Sequence, residues 1–135
     1  MNAKSKLTIL VLSITLFNIV TTNAQDSLKV ATSSQKADMI ASRMQRELSL
    51  TKAQTQQVNT IAFDRFEFLK QPSTSKTTQL ATVNDQTQKK LATVLTKEQM
   101  SLYLQLRSET KKQKDEYVSK NPNYIFSDQE KEMDF

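Results

Sequence analysis

The apolar positions of this chain recur at the spacing of a helix face over most of its length. Between residues 35 and 120 they return mostly every three or four positions, which is the period of an α-helix. The pattern predicts four helices, with Ser34 as the N-cap of the first, over about residues 35–48, 52–70, 76–94 and 97–120. The sequence therefore predicts an all-α fold.

The first two helices each carry one apolar stripe, and together the stripes predict a shared core. The stripe positions are Ala37, Ile40, Ala41, Met44 and Leu48 on the first helix, and Val58, Ile61, Ala62, Phe66 and Leu69 on the second. On the second helix, Phe68 lies at the margin of the stripe and Phe63 points away from it. Arg65 lies near the middle of the stripe, where its long stem can carry the cationic head to water.

The predicted fourth helix differs because its apolar residues fall on two opposite sides. Met100 and Leu104 lie on one side, whereas Leu102, Leu106 and Tyr117 lie on the other. One four-helix subunit has too few helices to cover both sides. We therefore predict a homodimer in which Leu102, Leu106 and Tyr117 contact the second copy. The alternative is that the patch at residues 124–126 folds back over Leu102 and Leu106.

The two ends of the chain are predicted to lie outside the helical domain. Lys4 and Lys6 precede an apolar run, and the small residues Thr22 and Ala24 fit a cleavage site before Gln25. We predict a cleavable signal peptide over residues 1–24, a loose leader over 25–34, an all-helical domain over 35–120 and a disordered tail over 121–135. The alternative for the first segment is an uncleaved membrane anchor.

The composition argues against most kinds of catalytic or cofactor site. The sequence contains no Cys, His or Gly, so it cannot form the usual zinc sites, a Ser-His-Asp or Cys-His system, or a glycine-rich phosphate loop. The formal net charge is +5, and both signs are interleaved rather than gathered into a basic face. We therefore expect a protein that is not an enzyme, uses no cofactor or metal and binds no nucleic acid.

A five-residue pattern occurs twice, each time between a shorter and a longer helix. It reads Leu50-Thr51-Lys52-Ala53-Gln54 in the first copy and Leu95-Thr96-Lys97-Glu98-Gln99 in the second. Threonine followed three residues later by glutamine can form a capping box, in which each side chain accepts a hydrogen bond from the backbone N–H of the other residue. The motif residues that predict these two helix starts are Leu50, Thr51, Gln54, Leu95, Thr96 and Gln99.

The two copies of Leu-Thr-x-x-Gln in a small, exported, all-helical chain resemble the signature of the Spy/CpxP family of periplasmic proteins. The resemblance covers roughly residues 37–117. It implies a duplicated helix–LTxxQ–helix unit, a bent, hairpin-like four-helix subunit, a thin cradle-shaped dimer and a periplasmic location. Family members include ATP-independent chaperones, inhibitors of envelope-stress sensor kinases and zinc-responsive relatives. The zinc-responsive members use His-rich segments, which this chain lacks.

Two functions are compatible with these observations. The first is a chaperone that binds unfolded or misfolded envelope proteins through a surface of cations and adaptable apolar groups. The second is a regulator in the envelope stress response that binds the periplasmic domain of one sensor kinase. The candidate contact residues for a client or partner are Arg43, Met44, Arg46, Phe63, Arg65 and Phe68. The motif itself designates no client-binding residue.

Overall fold

The computed structural model describes residues 31–135, and within them the fold is all-α, as predicted. The elements are α1 (Ser33–Leu48), α2 (Lys52–Lys70), α3 (Lys76–Val94), α4 (Lys97–Lys120) and a short helix α5 (Asp128–Glu132). No strand occurs in this part of the chain, and none of its helices combines the length and apolar content that a membrane crossing requires. The predicted signal peptide and most of the predicted leader lie outside the described residues.

The first helix begins two residues earlier than predicted. Its N-cap is Thr32 rather than Ser34, because Thr32 has Gln35 three positions later and the two residues form a capping box. The Thr32 hydroxyl accepts from the Gln35 backbone N–H at 3.2 Å, and Gln35 Oε1 accepts from the Thr32 N–H at 2.9 Å. Ser34 has Ala37 at the equivalent position, and alanine has no side-chain acceptor.

Helices α1, α2 and α3 supply most of the core. α1 packs against α2, and α2 packs against α3. The predicted apolar stripes of α1 and α2 are buried throughout. On α3, Val83 and Leu91 are buried, whereas Leu80 and Val94 are partly buried and pack against the same cluster. The core therefore lies where the helical period of the sequence places it.

Helix α4 is the least enclosed of the long helices. Tyr103 is the one buried residue among its 24 described positions. Met100 and Leu106 are partly buried and pack against the core, so the inward face follows positions 100, 103 and 106. Leu102 and Leu104 remain 38% and 40% exposed on the surface. Met100, Tyr103 and Leu106 therefore share one face of α4. The sequence instead predicted that Met100 and Leu106 lie on opposite sides of this helix.

The tail, residues 121–135, packs onto the helices instead of being disordered as predicted. Tyr117 of α4 meets Tyr124 edge to face, with ring centroids 5.0 Å apart, and Phe126 lies 6.4 Å from Tyr117. The chain then forms α5, and Phe135 is buried in the core cluster. The predicted alternative, a return of residues 124–126 over Leu102 and Leu106, is not the contact observed.

Candidate functional site

The two Leu-Thr-x-x-Gln motifs form the starts of α2 and α4. In the first copy, the Thr51 hydroxyl accepts from the Gln54 backbone N–H at 3.1 Å, and Gln54 Oε1 accepts from the Thr51 N–H at 3.0 Å. Thr96 and Gln99 repeat both bonds at the same distances. Leu50 and Leu95, the first residues of the motifs, are buried in the core. Each motif thus combines an apolar anchor with a capped helix start.

The two motif glutamines also contact one another and the opposite helix junction. Gln54 Nε2 donates to Gln99 Oε1 at 2.8 Å and to the Val94 carbonyl, at the end of α3, at 3.1 Å. Gln99 Nε2 donates to Gln54 Oε1 and to the Leu48 carbonyl, at the end of α1, both at 3.3 Å. Carbonyls in the last turn of a helix lack intrahelical partners, and these side chains supply donors to two of them. The motif therefore fastens two helix junctions to each other, beyond capping its own helices.

A second polar cluster holds the last residues of the tail against the helices. Lys36 of α1 pairs with Glu132 at 3.2 Å, and Lys114 of α4 pairs with Asp134. Between them, Arg65 Nη2 of α2 donates to the main-chain carbonyls of Glu132 and Asp134, both at 3.2 Å. We call the surface formed by Lys36, Arg65 and Lys114 the tail site. Each of the three long helices that form it contributes one cation.

Arg65 is the most unusual residue of the tail site because it is a buried cation. It is 2% exposed, and its Nη1 donates to Asn84 Oδ1 of α3 at 2.5 Å. Burial and the nearby cation Arg107 lower the pKa of the Arg65 guanidinium to about 10, although Tyr103, Asp134 and Glu132 act in the opposite direction. The side chain remains charged at neutral pH, so acceptors must compensate for its removal from water.

The apolar part of the tail lies beside these charges. Phe135 is 6% exposed, and the Arg65 guanidinium lies 5.7 Å from the centre of its ring. Met133 is partly buried and packs against the core. Lys114 Nζ lies 4.9 Å from the centre of the Phe126 ring. The tail is therefore held by carboxylates, main-chain carbonyls and aromatic rings together, and all three kinds of group meet cations.

The six residues predicted to contact a client or partner have different surroundings. Phe63 is 41% exposed and Arg46 is exposed, and Arg43 is partly exposed beside Glu47. Phe68 is partly buried against the core. Two of the predictions need correction. Met44 is 2% exposed within the core, and Arg65 does not extend to water but lies enclosed against Asn84 and the tail.

The residues predicted to contact a second copy also differ in their exposure. Leu102 is exposed, and Tyr117 is 48% exposed although the rings of Tyr124 and Phe126 contact it. Leu106 instead packs against the core of its own subunit, because it shares the inward face with Tyr103. Two open surface depressions lie along α4. One of them includes Leu102 in its lining.

Within residues 31–135, no group of three or more acidic side chains is arranged to hold a metal ion. No protein-family model, curated protein or solved structure matches the chain. The resemblance to the Spy/CpxP family therefore stays a prediction that depends on the motif pair.

Proposed function

We propose that this protein is an ATP-independent, chaperone-like protein of the periplasm that binds unfolded or misfolded envelope proteins and suppresses their aggregation. The proposal depends on the two Leu-Thr-x-x-Gln motifs for the family and on the N-terminal segment for the location. Binding of this kind requires no nucleotide and no catalytic group. It requires apolar side chains that water can reach and cations near them, since cations favour encounters with acidic chains.

The observation that carries the proposal is the set of large apolar side chains left on the surface of a small helical protein. In the described chain these residues are at least about one-third exposed and occur on α1, α2, α4 and the tail. They are Met39, Phe63, Leu102, Leu104, Tyr117, Tyr124 and Ile125. Apolar groups that remain accessible can cover the hydrophobic segments of an unfolded chain. Methionine and aromatic side chains suit varied partners because they adapt their contacts.

We also propose that two copies associate through α4. Leu102 and Tyr117 lie on this helix, and both are exposed within one subunit. Association would remove their apolar surface from water, and a two-fold pair is the commonest arrangement of identical chains. Such a dimer would also explain why α4, the longest helix, buries a single residue in its own subunit.

The test of function is an aggregation assay with several unrelated unfolding proteins, performed without ATP. We expect suppression at near-stoichiometric amounts for most of them. Phe63→Gln should weaken suppression, because Phe63 exposes an aromatic ring in the middle of α2. Thr60→Gln is the matched control, since Thr60 is exposed on the same helix but is already polar. No suppression of any client contradicts the proposal, and tight binding to one folded sensor domain alone favours the regulator.

A further inference from the structure

The tail site holds the last residues of the chain's own tail through contacts to main-chain carbonyls as well as to side chains. Within the tail, the groups that accept hydrogen bonds from Arg65 are main-chain carbonyls, those of Glu132 and Asp134. Every peptide segment carries such carbonyls, so this contact does not depend on the side chains of the occupant. Arg65 Nη1 also donates to Asn84 Oδ1 of α3, so one end of the guanidinium is held by a residue outside the tail.

The neighbouring groups define which segments fit. Lys36 and Lys114 each pair with a carboxylate, and these carboxylates are two positions apart, at Glu132 and Asp134. The ring of Phe135 is buried beside Arg65. The chemistry recognised is therefore an acidic residue, an apolar residue, a second acidic residue and then an aromatic one.

The tail has little structure of its own to keep it in this place. α5 contains five residues, which is shorter than a helix that is stable alone in water. Residues 121–127 connect α4 to α5, and all of them except Phe126 are exposed. The order of residues 128–135 therefore depends on docking, and the docked state competes with a free one.

Release of the tail would remove hydrogen-bond acceptors from the cations of the tail site. Arg65 would lose two acceptors and keep Asn84 as its side-chain partner, while the cations Arg107, Lys36 and Lys114 remain near. An uncompensated buried cation is costly, and another acidic segment supplies the missing acceptors.

We propose that the tail site is a binding site for short acidic, aromatic segments of other proteins, and that residues 128–135 occupy it as an intramolecular competitor. This inference deepens the proposed function, because such a segment can belong to a client. In this view the tail keeps the site closed until a competing segment is abundant or binds more tightly.

The probe is a fluorescein-labelled peptide with the sequence of residues 127–135, measured by fluorescence polarisation against the full chain. A tethered segment competes at an effective concentration on the order of 1 mM. For a peptide with a Kd of about 100 µM, removal of this competitor should tighten apparent binding about tenfold. The double variant Asp134→Lys, Phe135→Ala should produce this gain over the wild type.

Two controls separate the site from general attraction between charges. Asp128→Lys alters the charge of the same segment by the same amount as Asp134→Lys, but Asp128 pairs only with Lys131 of its own helix, so peptide binding should not change. Adding Lys114→Glu to the double variant should abolish the gain in peptide affinity, because Lys114 pairs with the second carboxylate of the segment. Circular dichroism verifies that each variant remains helical. If the double variant does not fold, Asp134→Asn replaces it and should bind the peptide several-fold more tightly than the wild type.

Equal peptide affinity in the wild type and the tail variants would overturn the proposal, as would the absence of binding to all of them at millimolar peptide. These outcomes are independent of the aggregation assay. A chain that binds the peptide without suppressing aggregation would retain the site and lose the chaperone proposal. A chain that suppresses aggregation without binding the peptide would do the reverse.

Discussion

Replacing Gln99 by glutamate separates the two tasks of the motif glutamine. Glutamate serves a capping box as well as glutamine does, because either residue supplies an acceptor for the N-cap N–H. It cannot donate, so Gln99→Glu retains the bond from the Thr96 N–H and loses those to the Leu48 carbonyl and to Gln54 Oε1. The substitution replaces the side-chain amide by a carboxylate of nearly the same size.

The expected cost follows from these bonds. Two lost hydrogen bonds contribute about 1 kcal/mol each, and a new carboxylate facing the unpaired Leu48 carbonyl adds on the order of 1 kcal/mol. A negative charge in the first turn of α4 returns about 0.5 kcal/mol through the helix dipole. We expect the free energy of unfolding to fall by about 2.5 kcal/mol. Gln54→Glu should have a similar effect, because Gln54 loses its bonds to Val94 and Gln99.

The chain contains a matched control in Gln35. This residue forms the same capping box with Thr32, and among the described residues its side chain makes no bond to another helix. Gln35→Glu retains the cap and adds the favourable charge, so stability should be unchanged or about 0.5 kcal/mol higher. The two substitutions share the capping box, and only Gln99 makes bonds between helix junctions.

Urea unfolding followed by far-UV circular dichroism measures both variants. A lower midpoint with an unchanged slope indicates a loss of stability rather than a change in the unfolded state. If Gln99→Glu costs no more than Gln35→Glu, the bridge between the two motifs contributes nothing and the capping boxes alone explain the motif.

Four further results are expected. Thr51→Ala and Thr96→Ala should each lower the free energy of unfolding by about 1 kcal/mol in the same assay, without abolishing activity where the fold survives. Sedimentation equilibrium should show a wild-type dimer at micromolar concentration that Leu102→Glu dissociates, whereas Leu104→Glu, an equally exposed leucine on the other side of α4, leaves it intact; a wild-type monomer would rule out the dimer. The intact mass of the exported protein should correspond to a chain that starts at Gln25, and a mass retaining residues 1–24 would contradict the signal peptide. Calorimetric titration with zinc should show no micromolar site, since carboxylates alone bind zinc poorly.

Local sequence rules predicted the long helices because their signals are local. The bounds of α2, α3 and α4 follow from Thr51, Pro72 and Thr96, where a cap or a proline acts within a few residues. The start of α1 had the same signal in Thr32 and Gln35, and recognition of this third threonine–glutamine pair would have corrected Ser34. A helical period also located the core stripes, since burial of α1 and α2 depends on one continuous face.

The candidate sites depended on contacts that no local rule contains. The pairing of Gln54 with Gln99 joins positions 45 residues apart, and a capping box treats glutamine and glutamate as equivalent. The tail was predicted to be disordered because its aromatic patch at residues 124–126 is followed by mostly acidic residues. In the structure, Phe135 packs in the core and the tail supplies acceptors for Arg65. One signal was available. An arginine in the middle of an apolar stripe requires acceptors, and an acidic, aromatic segment elsewhere in the chain could have been considered as their source.

The long reach of the tail has a consequence for the order of folding. Lys36 and Glu132 meet across 96 positions of sequence, and Arg65 and Asp134 meet across 69, whereas helices form from neighbours. Contacts between distant residues form late because closing a long loop costs entropy before the contact repays it. The helical core should therefore assemble first and the tail dock last. During synthesis, residues 132–135 also emerge after the helices that bind them. Each new molecule then passes through a stage in which the helices are folded and the tail site is still vacant, and unfolding returns to that stage first.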